Sequence, residues 1–578
     1  MTEHSIDLQG IPSYQKRKFV PENVCLSNRE EIINLYKKLL IREVRSQEEL
    51  EAWLEDRSEL DAAFDQVGTI LYIQMTCQTD HSEKAEAYKE FIQSIIPAVK
   101  PFIDQLNKKY LSLCKQFPLN SRYYEIYDQT IQTDVELFRD KNIVLQTKID
   151  LLSQQYQTVC GAMTVEYQGK SRTLAEMGKF LLEPDRTIRE TAWRLIAQRR
   201  LKDKEALERI FSEMLFARNQ IAHNADCPNF SDYQFRVYHR FDYTPLECRQ
   251  YHQSIKNLVL PLWKTVLERR QKNLGLKELR PWDLQVDPMG HSPLKPFQEV
   301  GDLMTKVHQI FLKLDANLGA QFKEMMNLRL LDLASRKGKA PGGYQSTLAE
   351  ARKPFIFMNA VGIDQDVKTL LHEGGHAFHA LAAAGQRLYL YRHAPMEFCE
   401  IASMSMELLG EEQLDVFYND HDIKRSRLNH FEDIIEILIW VALIDAFQFW
   451  IYEHPAHSPE ERKKVWLTLY QEFNGDGVDW SGIEEEKAYL WHRQLHIFEV
   501  PFYYIEYGIA QLGALQLWLN YKKNPQKTLN SYRESLILGG SQGLPELFQT
   551  AGIHFDFSEK TIAPLISAVN KELERLSV

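Results

Sequence analysis

Cysteine is scarce: seven in 578 residues, with no C-x-x-C pair among Cys25, Cys77, Cys114, Cys160, Cys227, Cys248 and Cys399. A low and odd count excludes a disulfide scaffold and points to free thiols in a reducing compartment. Positive charge is not in excess either. Lys and Arg number 69 against 80 Asp and Glu, a formal net charge of −11. Such a chain has no basic field with which to collect nucleic acid or anionic lipid, and its acidity reads as solubility. Long apolar runs are missing. The greasiest segment, 434–452, is interrupted by Glu436, Asp445 and Gln448. Its longest unbroken run, 437–444, falls short of the roughly 18 residues a membrane span needs, so it reads as a buried helix. Met1–Asp7 shows no basic stretch leading into an apolar one, so no signal peptide is expected and the cytoplasm is the expected location.

What is present is helix. Segments 30–42, 46–65, 83–113 and 138–157 alternate charged and apolar residues at helical spacing with few glycines, the pattern of long helical hairpins with solvated faces. The character breaks at 162–174. There Thr164, Glu166 and Gln168 alternate with Val165 and Tyr167, and Gly169 offers a turn, so a β-hairpin is expected. Pro184 and Asp185 then open a helix over 186–200, and a lobe boundary is expected near 185, giving lobes 1–185 and 186–578. Strand character returns at Phe355-Ile-Phe-Met358. With Pro354 before it, this run is expected at a sheet edge. The fold expectation is mostly α with a small sheet.

The chemistry concentrates in Val367-Lys-Thr-Leu-Leu-His372-Glu373-Gly374-Gly375-His376-Ala-Phe-His379. Residues four apart share a helical face, so His372 and His376 can aim two imidazole nitrogens at one tetrahedral Zn²⁺. Glu373 then lies near the open position, where it can take a proton from a water. Asp364 is the expected N-cap. An H-E-x-x-H would arise by chance about 0.04 times in such a chain. Two adjacent glycines inside a helix cost roughly 1 kcal/mol each against alanine, which a helix bears where a ligand or another backbone comes close.

The third ligand is the next question. A metzincin would carry Gly at 379 and His at 382; here those are His379 and Ala382. A downstream glutamate is the other solution. Glu397, Glu400 and Glu407 fall on one expected helix, 395–409, within about 80° of one another. Glu400 is the first candidate, Glu397 its competitor, and Glu407 suits a supporting role because about 10 Å of rise separates it from Glu400. His379 reads as packing, His393 as a substrate contact, and His492 as structural.

HEGGHAFH followed by MEFCEIASMSME resembles the thimet oligopeptidase and oligoendopeptidase F family of zinc metallopeptidases, nearest its bacterial Pz-peptidase branch. The family's glutamate ligand sits in an E-x-x-S segment, here Glu400-Ile-Ala-Ser403. A second match, His496-Ile-Phe-Glu-Val-Pro-Phe-Tyr503-Tyr504-Ile-Glu-Tyr507-Gly-Ile-Ala510, supplies donors for a developing oxyanion. His496, Tyr504 and Tyr507 are the expected donors. Tyr504 and Tyr507 share a helical face, and Tyr503, about 100° round the helix from Tyr504, is expected to matter less. The spacing from His496 is one residue shorter than in the thimet branch, which leaves the choice among the tyrosines open.

The resemblance covers residues from about Asp185 onward. It implies two helical lobes flanking a deep channel, with a small β-sheet beside the zinc-binding helix. It also implies one zinc ion, and hydrolysis of internal bonds of short peptides that lie extended along 355–359. A metallo-exopeptidase and a non-catalytic peptide-binding protein are the alternatives. No nucleic-acid or membrane partner is expected.

Overall fold

Polar caps set where the first helices begin. Asn28, Ser46, Asn120 and Asp185 each accept a backbone N–H from the first turn of the adjoining helix, satisfying donors that a helix start leaves bare. The computed structural model describes residue 8 and residues 10–577, and in it these caps open Arg29–Ile41, Gln47–Cys77, Ser121–Leu137 and Arg186–Leu201. The expectation on Met1–Asp7 lies outside the described residues. The helix expected over 83–113 is Ser82–Glu90, a π-helical turn at Phe91–Ile95, then Ile96–Gln116. Pro97 and Pro101 withhold N–H groups there, and the ladder widens just upstream.

The expected hairpin is present: β1 (Thr164–Tyr167) pairs with β2 (Lys170–Thr173). Gln168 and Gly169 turn it with positive φ of 52° and 72°, as a two-residue hairpin turn requires. A second sheet holds β3 (Leu331–Ala334), β4 (Tyr344–Leu348) and β5 (Lys353–Ala360) in the order β3-β5-β4. β5 is therefore the central strand, parallel to β3 and antiparallel to β4. The edge position expected for 355–358 is corrected. Pro354 is the second residue of β5, where a missing N–H costs little, so it marks the strand's beginning and not an outer edge.

Two large cores organise most of the helices, and a third, small cluster joins Val165, Met177 and Ala192. The smaller of the two large cores gathers Tyr36, Trp53, Leu106 and Ile131 and is closed by Leu388 and Tyr391 from far along the chain. The larger one takes in Tyr156 and Met163 as well as the C-terminal helices, so the helix Asp140–Gly161 packs with the C-terminal part of the chain. The long core helix, Asp420–Glu453, is apolar and long enough to cross a membrane, yet 72% of its most apolar stretch is buried inside the fold. Its apolar residues form the centre of the larger core, as the sequence leads one to expect.

Three further helices carry the site: the motif helix (Asp364–Ala383), the glutamate helix (Met396–Gly410) and the tyrosine helix (Ile505–Lys523). Asp364 does not cap the motif helix. It accepts hydrogen bonds from Tyr418 and Ser426. The start is held instead by Asp366, whose carboxylate accepts from the backbone N–H of Val361, Gly362 and Ile363 at 2.8, 2.7 and 2.9 Å.

The double glycine has a packing cause. A Cβ on Gly374 would stand 2.6 Å from the Phe311 ring, and one on Gly375 would stand 2.5 Å from the Ala402 carbonyl oxygen and Ser403 Cα. Gly375→Ala therefore forces the motif and glutamate helices apart. Alanine's better helix propensity offers about 1 kcal/mol, against about 1–3 kcal/mol for overpacking a tight contact. A lower Tm with reduced metal content is expected, read by calorimetry and elemental analysis. A Tm at or above wild type would show that the helices are not in contact at this point.

Candidate metal centre and its cavity

The glutamate helix lies across the motif helix so that Glu400 faces both histidines. Glu400 Oε2 is 3.3 Å from His372 Nε2 and 3.4 Å from His376 Nε2, and the ligand atoms of the three residues lie within 4.8 Å of one another. A tetrahedral ion with bonds of about 2.05 Å holds its ligand atoms roughly 3.3 Å apart, so the spacing and the N, N, O donor set fit zinc. The Glu400 carboxylate is itself held from two sides. Ser403 Oγ donates to Oε2 at 3.1 Å and Tyr503 Oη donates to Oε1 at 2.6 Å, which gives the serine of the E-x-x-S segment its purpose. Burial alone would raise the Glu400 carboxyl; the facing imidazoles override it and hold it well below the usual range.

Glu407 sits about two helical turns further along and shares His372 with Glu400. Its Oε1 is 2.7 Å from His372 Nδ1, which leaves Nε2 for an ion. Its Oε2 meets His430 Nε2 at 3.1 Å, and His430 Nδ1 is in turn paired with Glu411. Burial opposes charge on His430, but Glu411 and Glu407 raise its pKa to about 10. A fixed cation thus stands behind Glu407. Glu397, the competing ligand, points the other way. It accepts from Tyr243 and lies 3.5 Å from Arg240.

Glu373 is buried, and its Oε2 has no hydrogen-bond partner among the described residues. Burial raises its carboxyl above the ordinary value. A buried carboxylate oxygen left bare is costly unless something outside the chain completes it. The cavity above it measures about 730 Å³ and is lined by Gly343, Tyr344 and Thr347 of the β4 edge, by His393, and by His496, Tyr503 and Tyr507. Thr130 and Ile126 of the helix Ser121–Leu137 also line it.

His379 also borders the cavity. Its two ring nitrogens lack partners among the described residues, burial pushes its pKa down to about 3, and its ring packs against Phe398. His492 is buried on Glu208.

The tyrosines are arranged in part differently from the expectation. The tyrosine helix starts at Ile505 with Tyr504 as its N-cap in helical conformation, so the rings of Tyr504 and Tyr507 pack at 5.2 Å as the spacing predicts, while Tyr503 lies before the helix. Tyr503 points at Glu400. Tyr504 is absent from the cavity wall and turns its hydroxyl toward Gln494 and Trp440. Tyr507 lines the cavity with His496 Nε2 3.1 Å from its hydroxyl. The turn that aims Tyr503 is strained, with Phe502 at φ 65°. Gln448 accepts the Phe502 N–H at 2.8 Å and Arg240 donates to the Phe502 carbonyl at 2.7 Å. Arg240 also pairs with Glu506 at 2.6 Å. Sequence reasoning missed Arg240, Gln448 and His430. All three lie far from the motifs they support, and no spacing rule connects them.

A helical fold, an H-E-x-x-H helix and a downstream glutamate aimed at the same point are together the arrangement of a metallopeptidase. The chain belongs to peptidase family M3: residues 180–565 match that family, and residues 27–138 match the peptidase M3 N-terminal domain. Among curated relatives, oligopeptidase PepF of Bacillus subtilis (strain 168) is 28% identical over 312 residues, 51% of this chain and 44% of that protein. An oligoendopeptidase F homolog of Lactococcus lactis subsp. lactis (strain IL1403) is 25% identical over 55% of this chain and 53% of its own length. The matched stretches thus span about half the length of these relatives. In fold, Pz peptidase A solved with an inhibitor superposes with a TM-score of 0.90 at 24% identity, covering 96% of this chain and 99% of that one. Oligoendopeptidase-F from Enterococcus faecium gives 0.60 at 16%, over 95% and 92%.

The geometry separates the three glutamates by experiment. Glu400→Ala is expected to abolish metal retention on dialysis. Glu407→Ala, which frees His372 Nδ1, is expected to weaken metal affinity about 10–100-fold. Glu397→Ala is expected to keep its metal and lower Tm, because Tyr243 and Arg240 lose a buried partner. Full metal content in Glu400→Ala would contradict this ordering.

Proposed function

We propose that the chain is a zinc endopeptidase acting on short unfolded peptides, with one zinc ion held by His372, His376 and Glu400. The observation that carries this reading is the convergence of three ligand atoms beside the bare Glu373 carboxylate oxygen at the floor of a cavity. Zinc, when bound, supplies Lewis acidity toward the scissile carbonyl and toward an attacking water. Glu373 takes the proton of that water and hands it to the leaving amine nitrogen. Tyr507, steadied by His496, donates to the oxygen that becomes negative. Tyr503 holds the Glu400 carboxylate and borders the same space. The peptide backbone lies along β4, whose outer edge no other strand pairs among the described residues, instead of along the central 355–359 segment.

The same reading divides the chain into a lobe of residues 1–185 and a catalytic part, 186–578. The two separate family matches, residues 27–138 and 180–565, support it, while the helix Asp140–Gly161 joins the core of the catalytic part. Seven cysteines without a disulfide suit the cytoplasm. The acidic composition gives no reason to expect nucleic acid or membrane as a partner.

Glu373→Gln keeps shape and loses basicity. It is expected to retain metal and lose kcat on the order of 10²–10⁴-fold. An internally quenched peptide blocked at both ends is expected to be cut by the wild type. A strict requirement for a free terminus would overturn the endopeptidase reading. Tyr507→Phe is expected to lower kcat and kcat/KM together by about 10²–10³-fold with KM little changed. Tyr504→Phe, whose hydroxyl lies outside the cavity, is expected to lose far less. Wild-type kcat in Tyr507→Phe would remove the oxyanion role from this residue.

A further inference from the structure

His496 does not stand alone. Its Nδ1 lies 2.7 Å from Gln494 Nε2, and Gln494 Oε1 lies 2.9 Å from Trp440 Nε1. These contacts fix proton positions by elimination. An indole N–H only donates, so the Gln494 oxygen must face Trp440 and the amide NH₂ must face His496. An amide NH₂ also only donates, so His496 Nδ1 must offer a lone pair. Burial pushes the His496 pKa down to about 4, which keeps the ring neutral at ordinary pH. The single ring proton is then on Nε2, 3.1 Å from the Tyr507 hydroxyl oxygen. His496 donates to Tyr507, and the Tyr507 proton is left free for the cavity it lines. In the opposite tautomer Tyr507 would donate to Nε2 and have no proton for substrate.

We propose that Trp440 and Gln494 are positioning residues that lock the tautomer of His496 and so keep the Tyr507 hydroxyl proton available to the developing oxyanion. The inference rests on the peptidase reading for its consequence, but the lock itself is a property of the resting protein. Neither residue lines the catalytic cavity; Trp440 stands on the wall of a neighbouring cavity of about 470 Å³ and carries Arg493 over its ring. Tyr504 turns its hydroxyl toward the same pair, which gives that residue a place in the lock without placing it at the reacting atoms.

The test is substitution of Gln494 by groups that reverse or remove its donor. In Gln494→Glu, a carboxylate accepts from Trp440 and from His496 Nδ1. In Gln494→Met, no donor faces Nδ1. With the full-length metal-loaded protein labelled with ¹⁵N-histidine, and His496 assigned by difference against His496→Gln, the wild type is expected to show the neutral Nε2–H tautomer. Gln494→Glu is expected to show protonation at Nδ1. Gln494→Met and Trp440→Phe are expected to show mixtures of the two tautomers. At pH values where the ring is neutral, kcat of Gln494→Glu is expected to fall toward that of Tyr507→Phe, about 10²-fold, with KM and metal content unchanged.

The ratio of variant to wild-type kcat is expected to rise again as pH falls, because a doubly protonated ring donates from Nε2 once more. The double variant Gln494→Glu/Tyr507→Phe is expected to be no slower than Tyr507→Phe alone. A neutral Nε2–H ring in both Gln494→Glu and Gln494→Met would overturn the lock. So would a swapped tautomer with wild-type kcat, or additive losses in the double variant. Should Gln494→Glu fail to fold, Gln494→Met and Trp440→Phe carry the same spectroscopic and kcat readouts. Wild-type kcat in Tyr507→Phe itself would overturn the oxyanion role, and the spectrum would still decide the tautomer.

Discussion

The approach of the motif helix to the glutamate helix is the contact on which the rest of the site depends. It is closer than side chains allow: at Gly375 the backbones meet with no room for a Cβ between them. Gly410 and Gly513 of the tyrosine helix are tight in a different way, each against a side chain, Leu371 and Ile401, and not against backbone. Each glycine gives up helix propensity. What Gly375 gains is registry, because a contact without side chains cannot be re-spaced by rotamer changes. Tyr532 adds a hydrogen bond at 2.8 Å to the Ala402 carbonyl, the very group that Gly375 faces. Glu400 then sits 3.3–3.4 Å from both histidine nitrogens without further adjustment.

Electrostatics are built outward from that contact in alternating sign. Both imidazoles face Glu400, and His372 alone faces Glu407 on its other side; Glu407 faces His430; His430 faces Glu411. Lys368, buried on the motif helix, pairs with Asp364 and Asp433. Burial of so many charges is costly unless each is paired, and in this network almost every one is. The exception is Glu373, which lines the cavity and whose Oε2 has no partner among the described residues. Among the described residues, Glu373 Oε2 and the two ring nitrogens of His379 are left without partners beside the cavity, so the unmet hydrogen-bonding demand lies on the motif helix.

How much of this was legible in the sequence depends on the kind of signal involved. H-E-x-x-H and E-x-x-S were readable because both ends of each pattern lie on one helix, where spacing converts directly into direction. The hairpin at 164–173 was readable for the analogous reason in strands. The double glycine announced a close approach but not its partner, since Phe311 and Ala402 come from elsewhere in the chain. The sheet order was not readable. Pro354 marks where a strand begins as well as it marks an edge, and only β3 and β4, brought alongside by tertiary folding, distinguish the two.

The tyrosine cluster shows where spacing arguments stop. Counting from Tyr503 assumes a helix already under way, yet the helix begins two residues later, after a turn with Phe502 at positive φ. That conformation is unfavourable for a bulky side chain and persists only because its surroundings over-determine it. Gln448 holds its N–H, Arg240 holds its carbonyl, and Arg240 is itself anchored by Glu506. Strain here has a directional result. The turn sends Tyr503 to Glu400 and Tyr504 to the Trp440–Gln494 pair. It leaves Tyr507, one turn into the helix, to border the cavity with His496. Tyr504, helical at the N-cap, still packs its ring on Tyr507 at 5.2 Å, and it is Tyr503, aimed by the turn before it, that gives the Glu400 carboxylate its second support.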